Sequence, residues 1–384
     1  MSIPQRIQDF AAELTAIRHD LHEHPELGFE EIRTSGIVAE HLKSLGIEIT
    51  TGLGKTGVVG VLKGNRPGRT IGLRADMDAL PIHELTNLPY ASKTPGVMHA
   101  CGHDAHTTIL LGAARYLSET RDFAGTVVFI FQPAEEGLGG ARRMIADGLF
   151  KKFPCDEIYG LHNWPSGNPG VINITPGKAL AGADFFDITL TAKGCHAAAP
   201  DAGIDSIVIA SSLVQQLQSI VSRNVEPSDQ IVLSVTQFHA GAAYNVLPEV
   251  ATLAGTMRYF NRDTAAMVRT RMQDLCAGMA KSYGVQIALD MRNVFDVLEN
   301  DPTLSEAMID VAQGLVGTKA QISTRQVMGS EDFADMLQVV PGAYCMVGHA
   351  GAVPLHNPGY VFDDAALPLG VALLARMVEV RGEA

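Results

Sequence analysis

GTVVFIF at residues 125–131 is followed directly by QPAEEG at residues 132–137. The first part is a continuous apolar run, which is typical of a strand buried on both faces of a parallel sheet. The second part places Glu135 and Glu136 just beyond the end of that strand. Neighbouring side chains cannot point the same way, so one carboxylate could bind a metal ion while the other transfers protons. On this stretch alone, two exposed glutamates that start a helix over 138–149 remain an equally good interpretation.

Two further predicted strands also end in polar residues. LRADMDALP at 73–81 places Asp76 and Asp78 beyond a β run, and GLHNWP at 160–165 places His162 at a third strand end. Binding sites of open α/β sheets lie beyond the carboxyl ends of the strands, so these residues are candidates for one site. Taken singly, an aspartate pair that completes a turn, or a structural histidine, would explain each segment.

A denser cluster is MHACGHDAH at 98–106, where Cys101 and His103 are separated by one glycine. Thiolate and imidazole are both good ligands for divalent transition metals. The apolar run at 107–117 follows, so we expect the cluster to lie in a loop that leads into a helix. The alternative is a group of side chains that only packs the start of that helix. His356 lies in a loop flanked by prolines and, by itself, is more often a surface histidine.

Composition narrows the classes of function. The chain has 384 residues, 46% of them hydrophobic and 18% charged, which suits a globular protein of about two domains. The net charge of -13 disfavours nucleic acids and anionic membranes as partners. Five cysteines, an odd number, argue against a disulfide framework. The amino-terminal segment has no apolar signal-peptide core, so we expect a cytoplasmic protein.

The pattern of secondary structure changes at 184–296. Alternating and helical segments there follow the order β-α-β-β-α-β, which is typical of a ferredoxin-like domain. The earlier pattern of strands and helices resumes afterwards. We therefore predict an α/β protein. Residues 1–183 and 297–384 would form a domain with a mainly parallel sheet flanked by helices, and 184–296 would form an inserted domain connected by a hinge.

A series of motifs occurs in the order seen in one family. These are DMDALP (76–81), MHACGHDAH (98–106), QPAEEG (132–137), GLHNWP (160–165), KGCHAAAP (193–200), MGSEDF (328–333) and LHNPGY (355–360). On these motifs the chain resembles the aminoacylase/carboxypeptidase family of dinuclear metallohydrolases. Within it, the resemblance is to the branch of hippurate hydrolases and auxin–amino-acid conjugate hydrolases, and it runs nearly end to end.

The resemblance implies two divalent metal ions per subunit. It implies five protein ligands for them: Cys101, His103, Glu136, His162 and His356. It makes Glu135 the general base and acid, and Asp78 a carboxylate that orients a ligand histidine. Asp76 stands where many relatives have a histidine ligand, and this departure leaves the metal open between manganese, zinc, nickel and cobalt.

The resemblance also implies an activity and an assembly. A metal-activated water would cleave the amide bond of a small N-acyl amino acid, releasing a carboxylic acid and a free amino acid. The inserted domain would serve as a lid and as the contact of a homodimer or dimer-based oligomer. His196 would reach the partner subunit's active site and polarise the scissile carbonyl, while Asn245 and Arg258 would bind the substrate carboxylate.

Two other functions remain as alternatives. A thiol amidase would use Cys101 as nucleophile and His103 as base, but two residues this close in sequence pair awkwardly, and Glu135 and Glu136 would have no role. A non-catalytic metal-binding or amino-acid-binding protein could dispense with Glu135, which is present. The acyl group and the amino acid stay open at this stage.

Overall fold

The computed structural model describes residues 2–165 and 167–383. The helices are α1 (Gln5–Asp9), α2 (Ala11–Glu23), α3 (Ile32–Ser44), α4 (His103–Thr120), α5 (Gly140–Ala146), α6 (Leu149–Lys152), α7 (Ser206–Asn224), α8 (Arg262–Tyr283), α9 (Pro302–Val316), α10 (Phe333–Leu337) and α11 (Leu367–Arg381). Within the described ranges, no helix has both the length and the apolarity that crossing a bilayer requires.

Among the described residues, the strands form two larger sheets and two short ribbons. They are β1 (Glu48–Leu53), β2 (Gly57–Lys63), β3 (Arg66–Asp76), β4 (Ala124–Gln132), β5 (Glu157–Pro165), β6 (Ile172–Ile174), β7 (Gly177–Leu180), β8 (Gly182–Thr191), β9 (Cys195–His196), β10 (Ile231–Ala240), β11 (Val246–Leu247), β12 (Val250–Tyr259), β13 (Gln286–Phe295), β14 (Leu298–Asn300), β15 (Ala320–Ile322) and β16 (Gly342–His349).

The chain divides into two compact units, and the first contains residues up to Ala179, Leu298–Gln326 and the chain from Asp332 onward. Its eight-stranded sheet has the order β1-β2-β4-β3-β5-β16-β6-β15. The four central strands β4, β3, β5 and β16 are all parallel to their neighbours within this group. Helices α4 and α11 pack against each other and against β3. The mainly parallel sheet flanked by helices confirms the predicted fold class.

The apolar run that forms β4 is buried on both faces of this sheet, as predicted. Val127, Phe129 and Phe131 belong to the main hydrophobic core on one face. Val128 and Ile130 point to the opposite face because side chains alternate along a strand. None of the five is more than 2% exposed.

Parallel pairing brings the ends of three strands to one edge of the sheet. Asp76 is the last residue of β3 and Gln132 the last of β4, and the two are partners in register. Arg74 is level with Gly160 of β5, so continuing the register places His162 level with Asp76. The glutamates that follow β4 therefore emerge at the same edge as this histidine.

The second unit consists of Leu180–Val297 together with Val327–Glu331. Its main elements follow the order β8, α7, β10, β12, α8, β13, and its sheet has the antiparallel order β10-β12-β8-β13. This is the predicted βαββαβ arrangement. Phe186, Ile188 and Leu190 alternate along β8 and are buried in a core shared with α7 and α8.

Two local predictions were wrong. The cluster at 98–106 does not lie wholly in a loop, because α4 already begins at His103. The helix expected over 138–149 is shorter, because α5 ends at Ala146, and a separate helix, α6, begins at Leu149. Gly148, between them, has φ of 93°, and a residue in the left-handed region ends a right-handed helix.

Candidate metal centre

Gly102 sets the local geometry of the first two candidate ligands. Its φ of 86° lies in the left-handed region that favours glycine. A Cβ atom at this position would lie 2.4 Å from Nδ2 of Asn163, so a larger residue would not fit. The glycine thus allows the chain to turn sharply between Cys101 and His103, which begins α4.

The structure brings the five predicted ligands together within the first unit. Their ligand atoms, with those of Glu135, lie within 4.8 Å of one another in overlapping sets: Cys101, His103 and His162; Cys101, Glu136 and His356; His103, Glu135 and Glu136. The Cys101 Sγ lies 3.4 Å from Nε2 of His162. Cys101 belongs to two of the sets, so its sulfur lies close to ligands that come from different segments of the chain.

Backbone carbonyl groups orient two of the histidines. Nδ1 of His103 lies 2.9 Å from the carbonyl oxygen of Asp78, and Nδ1 of His162 lies 2.6 Å from that of Asn163. A carbonyl oxygen can only accept a hydrogen bond, so each Nδ1 carries a proton and donates it. Each Nε2 is then the atom available to a metal ion, as is usual for ligand histidines.

One unpartnered atom of the site fits a metal ion. Nε2 of His103 is buried and has no hydrogen-bond partner among the described residues. Buried polar atoms are rarely left without a partner, because losing water without replacement costs free energy. One thiol, three imidazoles and a carboxylate form a donor set that suits a divalent transition metal.

Burial and charge shift the pKa values of these groups. Burial, assisted by the Glu136 carboxylate, raises the pKa of the Cys101 thiol. Burial also lowers the pKa of His162, which favours the neutral imidazole that metal binding requires. Burial alone would lower the pKa of His103, but the negative charges of Asp76 and Cys101 outweigh it and raise this pKa. The same negative charge would attract a metal cation and stabilise the thiolate.

Hydrogen bonds to backbone amides hold the loop that carries the two glutamates. The Asp78 carboxylate accepts from the backbone N–H groups of Glu135 and Glu136, each at 3.0 Å. Glu31, which is fully buried, accepts from the backbone N–H of Ala134 at 2.8 Å. Ala134 has φ of 56°, which costs about 1–2 kcal/mol in a residue with a Cβ atom. These hydrogen bonds stabilise the strained backbone and fix the loop beside the ligands.

Sequence reasoning missed the supporting roles of two carboxylates. Glu31 also accepts a hydrogen bond from Oγ1 of Thr56 at 2.6 Å, yet nothing in its sequence context distinguishes it from an exposed glutamate. For Asp76, the sequence predicts a strand-end site residue that departs from the family pattern, but it does not predict the hydrogen bonds of its side chain. Its carboxylate lies 2.6 Å from Nη1 of Arg74 and 2.6 Å from Nδ1 of His106. Two carboxylates close together at a strand end were the available signal for Asp76.

The remaining predicted site residues lie in the second unit. His196 and Asn245 are exposed, and the backbone N–H of Ala197 donates to the Asn245 carbonyl at 3.0 Å. Arg258, on β12, is half-buried and donates a hydrogen bond to Oγ of Ser330. Their roles in substrate binding and catalysis stay predictions.

Comparison with known proteins identifies the family. The sequence model of peptidase family M20/M25/M40 matches residues 72–380. This chain belongs to that family. A hippurate hydrolase from Campylobacter jejuni is 42% identical over 98% of both chains, and an N-acetylcysteine deacetylase from Bacillus subtilis is 38% identical over 97% of both. The solved structure of a Bacillus subtilis dinuclear metal binding peptidase of the M20 family is 35% identical, with a TM-score of 0.83 over 98% of this chain and 99% of that one.

Membership in the M20/M25/M40 family makes the chain a hydrolase that acts on amide bonds. The resemblance seen in the ordered motifs is thereby confirmed. The M20 relative described as dinuclear and metal binding agrees with the presence here of side-chain groups able to hold metal ions.

Proposed function

We propose that this M20/M25/M40 hydrolase cleaves N-acyl amino acids into a carboxylic acid and a free amino acid. The observation that carries the proposal is the position of Glu135, whose carboxylate lies within 4.8 Å of the ligand atoms of His103 and Glu136. A proton-transfer group beside a set of metal ligands is what metal-assisted amide hydrolysis requires. Hippurate and N-acetylcysteine, which appear in the names of two relatives, are both N-acyl amino acids.

The proposal includes two divalent metal ions per subunit. Their ligands would be Cys101, His103, Glu136, His162 and His356, with manganese, zinc, nickel and cobalt as candidates. When bound, the ions would lower the pKa of a water molecule and polarise the scissile carbonyl. The buried thiol favours the softer metals of this group, because thiolate is a soft ligand.

The residues of the chain would perform the proton transfers and bind the substrate. Glu135 would accept the proton of the attacking water and return it to the leaving nitrogen. Asp78 would keep Glu135 in place through the backbone hydrogen bond described above. Arg258 would bind the substrate carboxylate with its two-pronged guanidinium, assisted by Asn245, and His196 would polarise the carbonyl from the partner of a homodimer.

A thiol amidase is less well supported. A nucleophilic cysteine needs a lowered pKa and access to solvent. Burial instead raises the pKa of Cys101, which is 7% exposed.

We also propose a cytoplasmic location. All five cysteines are free, which fits a reducing compartment.

Glu135→Gln tests the proposal directly. The amide keeps the shape of the side chain but cannot accept the proton, so turnover of hippurate and N-acetylcysteine should fall by about 10²- to 10⁴-fold. Metal content, measured by elemental analysis, should equal that of the wild type. Glu306→Gln, a change at an exposed residue, serves as the matched control and should keep both activity and metal. Wild-type turnover by metal-loaded Glu135→Gln would overturn the assignment.

A further inference from the structure

Asn163 follows the candidate ligand His162 on β5, and its side chain is buried, with 2% exposure. Its amide Nδ2 donates to the carbonyl oxygen of Cys101 at 2.6 Å and lies 2.9 Å from Nε2 of His106. The Cys101 carbonyl can only accept, so this contact fixes which end of the amide is nitrogen. Both N–H bonds of the amide are therefore used within the site.

The amide oxygen is saturated as well. Oδ1 of Asn163 accepts from the hydroxyl of Tyr360 at 2.7 Å and lies 3.2 Å from Nε2 of His349. Tyr360 and His349 are both fully buried. The side chain thus meets four different groups, and a rotation that improved one contact would break the others.

His106 is held in a single tautomer by the same residue. The backbone N–H of Asn163 donates to Nε2 of His106 at 3.0 Å, so Nε2 must be the acceptor and Nδ1 must carry the proton. That proton is directed to the carboxylate of Asp76, 2.6 Å away. Asp76, His106 and Asn163 therefore form a buried chain of hydrogen bonds that ends at the strand carrying His162.

We propose that Asn163 is a positioning residue that fixes Cys101 and His162 relative to each other for metal binding. The inference rests on the proposed function. Its basis is that one residue contacts both ligands. The side-chain amide of Asn163 donates to the Cys101 backbone, and the backbone carbonyl of Asn163 accepts from Nδ1 of His162 at 2.6 Å. The amide packs against Gly102, where a Cβ would lie 2.4 Å from Nδ2, so a residue larger than glycine would displace the Asn163 side chain.

Asn163→Asp tests this role because it keeps the shape of the side chain but replaces the two N–H bonds with an oxygen. That oxygen would face the Cys101 carbonyl and Nε2 of His106, both acceptors. Affinity for zinc, measured by competition with a chromophoric chelator, should fall by about 10- to 100-fold. The thiolate-to-cobalt absorption band of the cobalt-loaded protein should weaken or shift, which a purely structural role would not cause.

The matched control is Asn300→Asp. Asn300 is also a buried asparagine of the first unit, 1% exposed, and its Nδ2 donates to the carbonyl oxygens of Thr175 at 2.9 Å and Tyr344 at 3.1 Å. The substitution therefore removes equivalent bonds at a site without candidate ligands. It should lower the melting temperature but leave zinc affinity and the cobalt spectrum unchanged.

Tyr360→Phe provides a milder variant if Asn163→Asp does not fold. Removing one hydrogen bond to the amide oxygen should weaken zinc binding by about 3- to 10-fold. Unchanged zinc affinity in Asn163→Asp or in Tyr360→Phe would overturn the inference, and so would an equal loss in Asn300→Asp. In these cases the proposed function would stand if the wild type needs metal for turnover. A wild type that takes up no metal would instead refute the proposed function.

Discussion

The candidate metal centre has two sides that are supported differently. The inner side consists of His103 and His162, which lie on α4 and β5 and are oriented by backbone carbonyls. The outer side consists of Glu136 and His356, which lie in loops, and Nε2 of His356 is 3.3 Å from Oε1 of Glu136. The His356 side chain is 52% exposed and its φ is 62°, whereas His103 is fully buried. We infer that the inner side holds its ligands in fixed positions and that the outer side opens the centre to solvent.

Protonation affects both sides of the centre. Hydrogen bonds to Cys101 and Glu136 raise the pKa of His356 to about 10. A metal ion on the outer side must therefore displace a proton that the site itself stabilises. On the inner side, burial lowers the pKa of His162, but the negative charges of Asp76 and Cys101 raise that of His103, so an ion there also competes with a proton. We expect an ion on the outer side to be the more easily lost because His356 lies in a loop and is 52% exposed.

The largest effect is expected for Cys101→Ala, because Cys101 belongs to ligand sets of both sides. Metal content should fall well below that of the wild type, and turnover should fall by about 100-fold or more. Cys345→Ala is the control, since Cys345 is a buried cysteine of the same unit that is absent from the ligand sets. Elemental analysis and a hippurate assay measure both quantities. Full metal content in Cys101→Ala would show that Cys101 is not a ligand shared by the two sides.

A comparison of His162→Ala with His356→Ala should show whether the two sides differ in metal affinity. His356→Ala should lose one ion at a low chelator concentration and retain the other, because the inner ligands are intact. His162→Ala should weaken the tighter site, and we expect the larger loss of affinity there, about 10- to 100-fold. Metal stoichiometry measured across a chelator series tests this. Identical chelation curves for the two variants would show that the sides do not differ in affinity.

The smallest effect is expected from Glu31, which acts through the backbone of Ala134. Glu31→Ala would leave a buried N–H without a partner, at a cost of about 1–3 kcal/mol in stability. Because the loop carries Glu135, kcat should fall by about 10-fold while zinc affinity of the inner side stays constant. Glu31→Gln keeps an acceptor oxygen and should restore kcat. If the glutamine variant were as impaired as the alanine variant, hydrogen bonding would not explain the role of Glu31.

The sequence predicted those features that depend on local patterns. The continuous apolar run of β4, the strand and helix periods behind the βαββαβ order, and the polar residues that follow strands can each be recognised within a short stretch of sequence. The start of α4 was misjudged because its first turn contains the buried polar residues His103 and His106. Apolar periodicity cannot reveal a helical turn whose buried side chains are polar.

The supporting hydrogen bonds could not be predicted in this way. Asn163 contacts Cys101 across 62 positions of the chain and Tyr360 across 197, while Glu31 contacts Ala134 across 103. Such contacts depend on sheet register and on the packing of distant segments. The residues next to a single asparagine or glutamate form no pattern that identifies its hydrogen-bond partner.

The position of β16 has a consequence for biosynthesis. This strand, Gly342–His349, lies between β5 and β6 in the sheet although both precede it by the whole second unit. A chain emerging from the ribosome therefore presents β5 with an unpaired edge until β16 appears, and such edges invite aggregation. His356 follows β16, so the outer ligands can assemble only after β16 has been synthesised. We therefore expect the outer side to bind its metal ion only after β16 has completed the centre of the sheet.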